Sequence, residues 1–473
     1  MKVLLVFPHL SDNIDIYTNK SLVSNMIRHV TGWGGSNFMP PLSLLMLAAV
    51  TPPDVEVKLV DERVDRLDFD EPTDLVGLTV VTRSAPRAYA IADRFRLQGV
   101  KVVMGGVHPS AMPGEALLHA DAVVLGEGEG VWPELLNDFR NGCLKQFYRG
   151  RIQRDLDALP FPRRDIIPDP EKYLTTKAVI ATRGCPNTCT FCSAGVGLIK
   201  TYRKRGVAKI IAELEQTPGK LTTFVDDNLG WDVDYTKELF RAMIPLHTLW
   251  TGELTFNALR DPELIDLAAA SGGYLLSVGL ESLSPRVIAS IRKDKTNQPE
   301  HYAPAIRRAQ QAGIAVWGNF ILGFDEETPD TLPRILEFVH ETHMEMVNIY
   351  ILLPYPGSVL FKKYEQQGRL LHKDWNFYES VGGHCIYIPK LMSARQLMDT
   401  YQEALEKVYA LRSIFSRLLQ SPSRLRFGSL AALHLNLENR NSIRLQKENM
   451  YHYIQFLENS NLPVDQRYDD EPA

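Results

Sequence analysis

Lys177-Ala178-Val179-Ile180-Ala181-Thr182-Arg183-Gly184-Cys185-Pro186-Asn187-Thr188-Cys189-Thr190-Phe191-Cys192-Ser193 is the stretch that decides the fold. Its first six residues are mostly apolar and β-branched, the pattern of a strand buried on both faces of a parallel sheet. Arg183-Gly184 interrupts the run, and three cysteines follow in the loop at the strand's carboxyl end. Barrels and doubly wound sheets build their sites at that end of their strands. The chain has five cysteines in 473 residues, and three of them, Cys185, Cys189 and Cys192, share this loop. So tight a group is too crowded for a disulfide network, and its odd number leaves one thiol over. A structural zinc site takes four ligands, usually as two separated pairs. An iron–sulfur cluster also normally takes four cysteines. Three thiolates spaced C-x3-C-x2-C therefore suggest a cluster with one iron open to an outside ligand, the alternative being a chance grouping on a loop.

Outward from the loop, strand and helix patterns alternate. Between about 175 and 355 the expected strands are 178–182, 222–225, 254–257, 275–279, Ala315–Leu322 and 347–352, separated by helices such as 207–215 and 303–312. Six βα units predict a partial (βα)6 barrel over residues 175–358. Residues 1–145 show the same alternation, with strands at Lys2–Phe7, 56–60, 75–81, 101–104 and Ala122–Leu125 and helices at 41–49, 85–98 and Pro113–His119. That order predicts a Rossmann-like doubly wound α/β domain. A Pro- and Arg-rich stretch, 146–174, reads as a linker, and residues 359–473 read as a mainly helical domain with helices at 394–419 and 449–457 and a polar tail.

Bulk properties narrow the function. The composition, 45% hydrophobic and 23% charged, is that of an ordinary globular protein. A net charge of −5 without a dense Lys/Arg stripe gives no reason to expect nucleic acid as a partner. Met1–Phe7 is apolar but too short for a membrane span or a signal peptide, so no integral membrane segment is expected. The few cysteines indicate a reducing, cytoplasmic setting.

With Phe191 directly before the third cysteine, the motif resembles that of the radical S-adenosylmethionine (SAM) superfamily. The resemblance implies a [4Fe-4S] cluster on Cys185, Cys189 and Cys192 whose open iron chelates the methionine end of SAM. Reductive cleavage would then yield a 5′-deoxyadenosyl radical. Further matches follow in order. Asp226-Asp227-Asn228 stands where the family binds the methionine ammonium, although such residues also favour turns. Ser277-Val278-Gly279-Leu280-Glu281-Ser282 resembles the element near the SAM ribose and carboxylate, with Gly279 and Glu281 as its contacts. Asn319-Phe320-Ile321-Leu322-Gly323-Phe324-Asp325-Glu326 resembles G-x-I-x-G-x-x-E, which lies against adenine, but Asn319 replaces a usual glycine. Gly323, Glu326 and, from Leu352-Leu353-Pro354-Tyr355-Pro356-Gly357-Ser358, Leu353 complete the expected SAM contacts.

The first domain resembles cobalamin-binding domains fused to such barrels. Its expected contacts are Thr79, Thr82, Arg83 and Ser84, then Gly105, Gly106, Val107 and His108, then Gly126, Glu127, Gly128 and Glu129. The first loop, Phe7-Pro8-His9-Leu10-Ser11-Asp12, lacks the flanking residues of D-x-H-x-x-G. The resemblance therefore implies base-off cobalamin without a histidine lower ligand. The segment 373–387 resembles the post-barrel region of hopanoid methylases and anaerobic magnesium-protoporphyrin ester cyclases. It suggests Trp375, Tyr378, His384 and Cys385, with Trp33, on the substrate side, the alternative being hydrophobic docking of the helical domain.

The leading expectation is a cobalamin-dependent radical SAM methyltransferase acting on an unactivated carbon of a small molecule, fed by a reductant such as flavodoxin or ferredoxin. One rival keeps the cofactors but performs cyclisation or rearrangement; another is a cluster- and cobalamin-binding sensor.

Overall fold

The structure is a computed structural model that describes residues 1–9, 39–194, 201–379 and 382–469. Trp33 lies outside the described residues. Strands β1 (Lys2–Phe7), β2 (Glu56–Asp61), β3 (Leu75–Thr79), β4 (Lys101–Gly105), β5 (Ala122–Leu125) and β6 (Phe147–Arg149) form one sheet in the order β2-β1-β3-β4-β5-β6. Every pairing is parallel. Along β1 the side chains divide by parity: Val3 and Leu5 pack with Leu44, Leu45 and Trp132, whereas Leu4 and Val6 pack with Ala88, Ile91 and Phe95. Both faces are covered by helices, as the unbroken apolar run requires. β6 falls inside the stretch read as linker. The rest of that stretch is a strap, whose Tyr173 hydroxyl donates to Asp61 at 3.2 Å and whose Arg164 pairs with Glu213 at 2.7 Å.

The second sheet is built from β7 (Ala178–Val179), β10 (Leu221–Phe224), β11 (Leu249–Leu254), β12 (Gly273–Glu281), β13 (Ala315–Leu322) and β14 (Met346–Ile351), in the order β14-β13-β12-β11-β10-β7. All its pairings are parallel, giving the open six-stranded barrel. A short antiparallel pair, β8 (Thr182–Arg183) and β9 (Arg203–Lys204), brackets the cysteine loop. Helices Ala394–Val408 and Phe427–Asn459 contact β12 and β14 and close the barrel's open side. Among the described residues no helix is long and apolar enough to cross a membrane.

Three expectations need correction. The strand placed at 254–257 is Leu249–Leu254, and Phe256–Leu259 is helical. Thr251 and Glu253 face a cavity rather than packed core, so polar residues hide the strand's pattern. The helix placed at 394–419 is two, Ala394–Val408 and Leu411–Gln420. The helix placed at 449–457 runs from Phe427 to Asn459. Its buried face carries Ser429, His434, Asn436, Glu438, Ser442 and Gln446, which blurs the apolar periodicity that marks a helix.

Candidate active site

The cysteine loop hangs from a polar stem. Asp226, just beyond β10, is buried and accepts hydrogen bonds from the amides of Ala181, at 3.1 Å, and Thr182, and from the Thr182 hydroxyl at 2.7 Å. Burial pushes its carboxyl up to about 7 against the pull of these donors. Asp226 thus braces the stem of the loop through these bonds. Its neighbours face the site. Asp227 accepts from the Gly184 amide at 3.1 Å, and Asn228 donates to the Cys185 sulfur at 3.5 Å. The Asn228 side-chain oxygen is buried without a protein partner.

All three cysteines of the loop are free thiols. Burial pushes Cys189 up to about 12 and raises Cys192 as well, and Cys185 adds to both effects. Uncompensated thiolates are therefore unfavourable together, the condition that bound iron relieves. Among the described residues no three ligands converge on a point of single-ion size. A four-iron cluster asks for less convergence, since each thiolate binds a different iron. The donor set fits such a cluster with one position left over.

Lys293, which the sequence reading missed, is the buried cation beside this loop. Its ammonium pairs with Glu281 and donates to the Gly279 carbonyl at 3.1 Å. Its field opposes the rise at Cys189. Glu281 is held in the left-handed region, at φ 65°, at a bulge against β13. No periodicity marks Lys293; its only signal is its place on the turn after Pro285–Ser290.

At the adenine-side loop the relevant acid shifts by one residue. Glu327, not Glu326, is buried and accepts from the amides of Gly323, at 3.0 Å, and Phe324, at 3.3 Å, and from the Ser282 hydroxyl at 3.0 Å. Glu326 accepts from Ser290 on the outside, at 3.1 Å. Phe191 meets Phe324 edge-on at 6.2 Å, so the cysteine loop touches this loop, and Leu353 is buried nearby at the end of β14. Asn319 fills the space of the usual glycine and donates to Ser277 at 2.9 Å.

Two cavities meet at Val225, which lines both. One, of about 280 Å³, lies at the carboxyl ends of β3, β4 and β5, against Leu47 and Trp132, and is lined by Thr79, Gly105, Gly106, Gly126, Glu127, Gly128 and Glu129. Gly106 has φ 108°, and a Cβ there would stand 2.7 Å from the Val80 carbonyl oxygen. Glu127 accepts two bonds from Arg203, at 2.6 and 2.9 Å, and Glu129 accepts from Arg183 at 2.6 Å. These acids thus tie the first sheet to the strands that bracket the cysteines. Val107 is exposed, and Thr82, Ser84 and His108 are buried away from the cavity. The His108 ring lies 3.0 Å from the Tyr89 hydroxyl and edge-on to Trp375. Arg83 pairs with Glu379 and borders the second cavity.

The second cavity, of about 540 Å³, fills the barrel interior up to the carboxyl-terminal helices. None of Trp375, Tyr378, His384 and Cys385 lines either cavity. Trp375 donates to Glu115 at 2.6 Å, Tyr378 donates to the His372 carbonyl at 3.0 Å, and Cys385 donates to the Tyr387 carbonyl at 3.2 Å. His384 packs on Tyr453 with ring centres 4.7 Å apart, and burial lowers it to about 4. These four side chains sit in docking and core contacts.

Comparisons with known proteins agree with this geometry. Residues 179–339 match the Radical SAM superfamily, and residues 36–136 match the B12 binding domain. The chain is 31% identical over 393 residues, 81% of its length and 85% of the relative's, to the bacteriochlorophyllide d C-12(1)-methyltransferase of Chlorobaculum tepidum. It is 30% identical over 406 residues to the C-8(2)-methyltransferase of the same organism, covering 81% of this chain and 88% of that protein. Among solved structures, the cobalamin-dependent SAM radical enzyme OxsB superimposes over 99% of this chain and 82% of its own, with a TM-score of 0.63 at 14% identity. The methyltransferase TsrM from Kitasatospora setae covers 78% of this chain and 75% of its own, with a TM-score of 0.59 at 16% identity. With both domains matched and two methyltransferases at 30% identity or more over four fifths of the chain, the chain belongs to the cobalamin-dependent radical SAM methyltransferases.

Proposed function

We propose that the chain methylates an unactivated carbon of a bulky, mainly apolar small molecule, using a 5′-deoxyadenosyl radical and base-off cobalamin. The observation that carries this reading is that the two cavities adjoin at Val225, which lines both, beside Asp227 and the cysteine loop. When bound, cluster and SAM supply a hydrogen-abstracting radical, and cobalamin supplies a methyl group. The chain's own residues hold and shield these groups. Cys185, Cys189 and Cys192 hold the cluster. Asp227, Asn228 and the Lys293–Glu281 pair face the charged methionine end of SAM. Gly323, braced by Glu327, and Leu353 serve the adenine. Thr79 and the glycines at 105, 106, 126 and 128 let backbone approach the corrin's nucleotide tail. Electrons come from a small donor such as flavodoxin or ferredoxin.

Two relatives act on bacteriochlorophyllide d, which makes that compound the first substrate to try. Reconstituted enzyme, reduced under anaerobic conditions with SAM and this compound, should form 5′-deoxyadenosine and S-adenosylhomocysteine in equal amounts with a methylated product. Deoxyadenosine without S-adenosylhomocysteine would replace methyl transfer by rearrangement. No deoxyadenosine from a cluster shown to be reduced would remove the radical chemistry. The electron paramagnetic resonance of the bound cobalt(II) form checks the base-off state, since a coordinated nitrogen splits its lines.

A further inference from the structure

One wall of the barrel cavity is a hydrogen-bonded row that crosses three strands and a helix. Asn319 on β13 donates to Ser277 on β12 at 2.9 Å and accepts from Tyr350, beyond its neighbour Asn348 on β14, at 3.4 Å. Asn348 donates to Tyr350 and lies 3.2 Å from the Tyr409 hydroxyl, which donates to the Val347 carbonyl at 2.7 Å and accepts from Asn439 on the long helix at 2.8 Å. In the neighbouring strand Glu253 is paired in register with Ser277 and opens directly into the same cavity. The apolar part of the lining is Phe224, Trp317, Ile349, Leu405 and Leu435. Thr223, Thr251 and, on the long helix, Glu438 and Gln446 add further polar groups, Glu438 a second carboxyl. The cationic side chains on the lining are Arg63 and Arg83 at the first domain's edge, and both are paired with acids, Asp61 and Glu379. An anion placed in the interior would therefore meet a carboxyl group and no lysine or arginine there.

This arrangement separates substrates by chemistry. A buried hydroxyl or carbonyl needs a hydrogen-bond partner, and the polar wall supplies donors and acceptors at one edge of an apolar space. We propose that Glu253 and Asn348 contact an uncharged oxygen-bearing substituent, a carbonyl or hydroxyl group, on the apolar part of the substrate that enters the barrel, with Asn319 as the positioning residue that fixes the row. The proposal rests on the reading that the substrate occupies the barrel cavity. Burial and the fields of Glu281 and Asp227 favour the neutral, donating form of Glu253, and Lys293 opposes them. A glycine at position 319 would leave Ser277 and Tyr350 without the bond that links them.

The test uses three flat probes of one ring system, pyrene, 1-acetylpyrene and 1-pyrenecarboxylate, titrated by fluorescence against reconstituted enzyme just below neutral pH. 1-Acetylpyrene should bind about tenfold more tightly than the carboxylate, the scale of one hydrogen bond to a buried partner. Glu253→Ala, Asn348→Ala and Asn319→Gly should each remove most of the acetyl advantage while pyrene binds as before, a split that general loosening would not produce. Glu253→Gln keeps a donor, so it should keep the acetyl preference. Thermal midpoints and cluster absorbance report whether each variant is folded. An unchanged probe order in the folded variants overturns the proposal and leaves the cavity reading intact. The cavity-filling Leu405→Trp should weaken all three probes. If it weakens none, or if no probe binds, the cavity reading falls and the proposal with it.

Discussion

Replacing Asp226 by asparagine separates scaffold from ligand at the cysteine loop. The carboxylate accepts from two consecutive amides and one hydroxyl, with Ala181 N lying 3.1 and 3.2 Å from its two oxygens. An asparagine keeps one acceptor and turns an NH2 toward the Ala181 amide, setting donor against donor. Two buried donors, the Ala181 amide and the new NH2, are left without an acceptor at about 1–3 kcal/mol each, so the loss is about 3 kcal/mol while Asp226 is neutral. Ionisation of Asp226, which burial disfavours, would subtract from it. For a domain of this size that is about 6–12 °C in thermal midpoint. The assay is anaerobic calorimetry of the reconstituted protein at a pH of about 6, where a carboxyl with a pKa near 7 is mostly neutral in the fold and the cost of its buried charge does not enter. Iron content and SAM affinity are measured beside it. Asp226→Asn should melt early and lose iron, yet the molecules that retain a cluster should bind SAM normally. Asp227→Asn, which disturbs one bond to Gly184, should melt within a few degrees of wild type and bind SAM poorly. The reasoning is refuted if Asp226→Asn melts with wild type while its SAM affinity collapses, because Asp226 would then be a ligand.

Three further outcomes follow from the geometry. Gly106→Ala forces a side chain into φ 108° and to 2.7 Å from Val80 O, a strain of about 1–3 kcal/mol, and should cut cobalamin retention about tenfold by corrin absorbance; Gly114→Ala, with open space around it, should not. Lys293→Met strands buried Glu281 without its cation, a loss of about 3–5 kcal/mol when one partner of a buried pair is removed. It should abolish the change that SAM causes in the reduced cluster's paramagnetic spectrum. Glu253 is raised to about 7 in the fold, above its unfolded value, so the stability it lends is present at low pH and lost as pH rises through 7. The thermal midpoint of wild type should therefore fall more steeply between pH about 5 and about 8 than that of Glu253→Gln, and parallel curves would show that Glu253 does not titrate there.

The parts of the fold that were legible are those whose chemistry is local. Buried parallel strands such as Lys2–Phe7 and Ala315–Leu322 announce themselves by unbroken apolar runs, and their observed bounds match the expected ones. Misreadings cluster where side chains face a cavity. Thr251 and Glu253 on β11, and the polar face of the helix Phe427–Asn459, look like surface in one dimension because they border enclosed space in three. At the site, motif position located the loops but not the direction of each side chain. Asp226 and Asp227 are adjacent, yet one points into the scaffold and the other toward the cavity, and Glu327 rather than Glu326 turns inward. The aromatic run 375–387 left two readings open in one dimension, since aromatic side chains dominate docking faces as readily as substrate pockets.

The ion pairs between the two sheets decide how methyl donor and radical source are spaced. Arg183 and Arg203 belong to the two short strands that bracket the cysteines, while Glu127 and Glu129 belong to the glycine-rich end of the first sheet. Apolar faces could slide past each other by a residue at little loss, but a bidentate Arg203–Glu127 pair is satisfied in one register only. Buried pairs of this kind add little net stability, whereas breaking one leaves a desolvated charge. On the far side Glu115 holds the Trp375 indole and Arg83 holds Glu379, so the first sheet is fastened at both ends of the barrel mouth. A shift of the cobalamin domain relative to the cysteine loop must break charges on both sides at once. The separation of the two cavities is therefore set by side-chain geometry rather than by a tether.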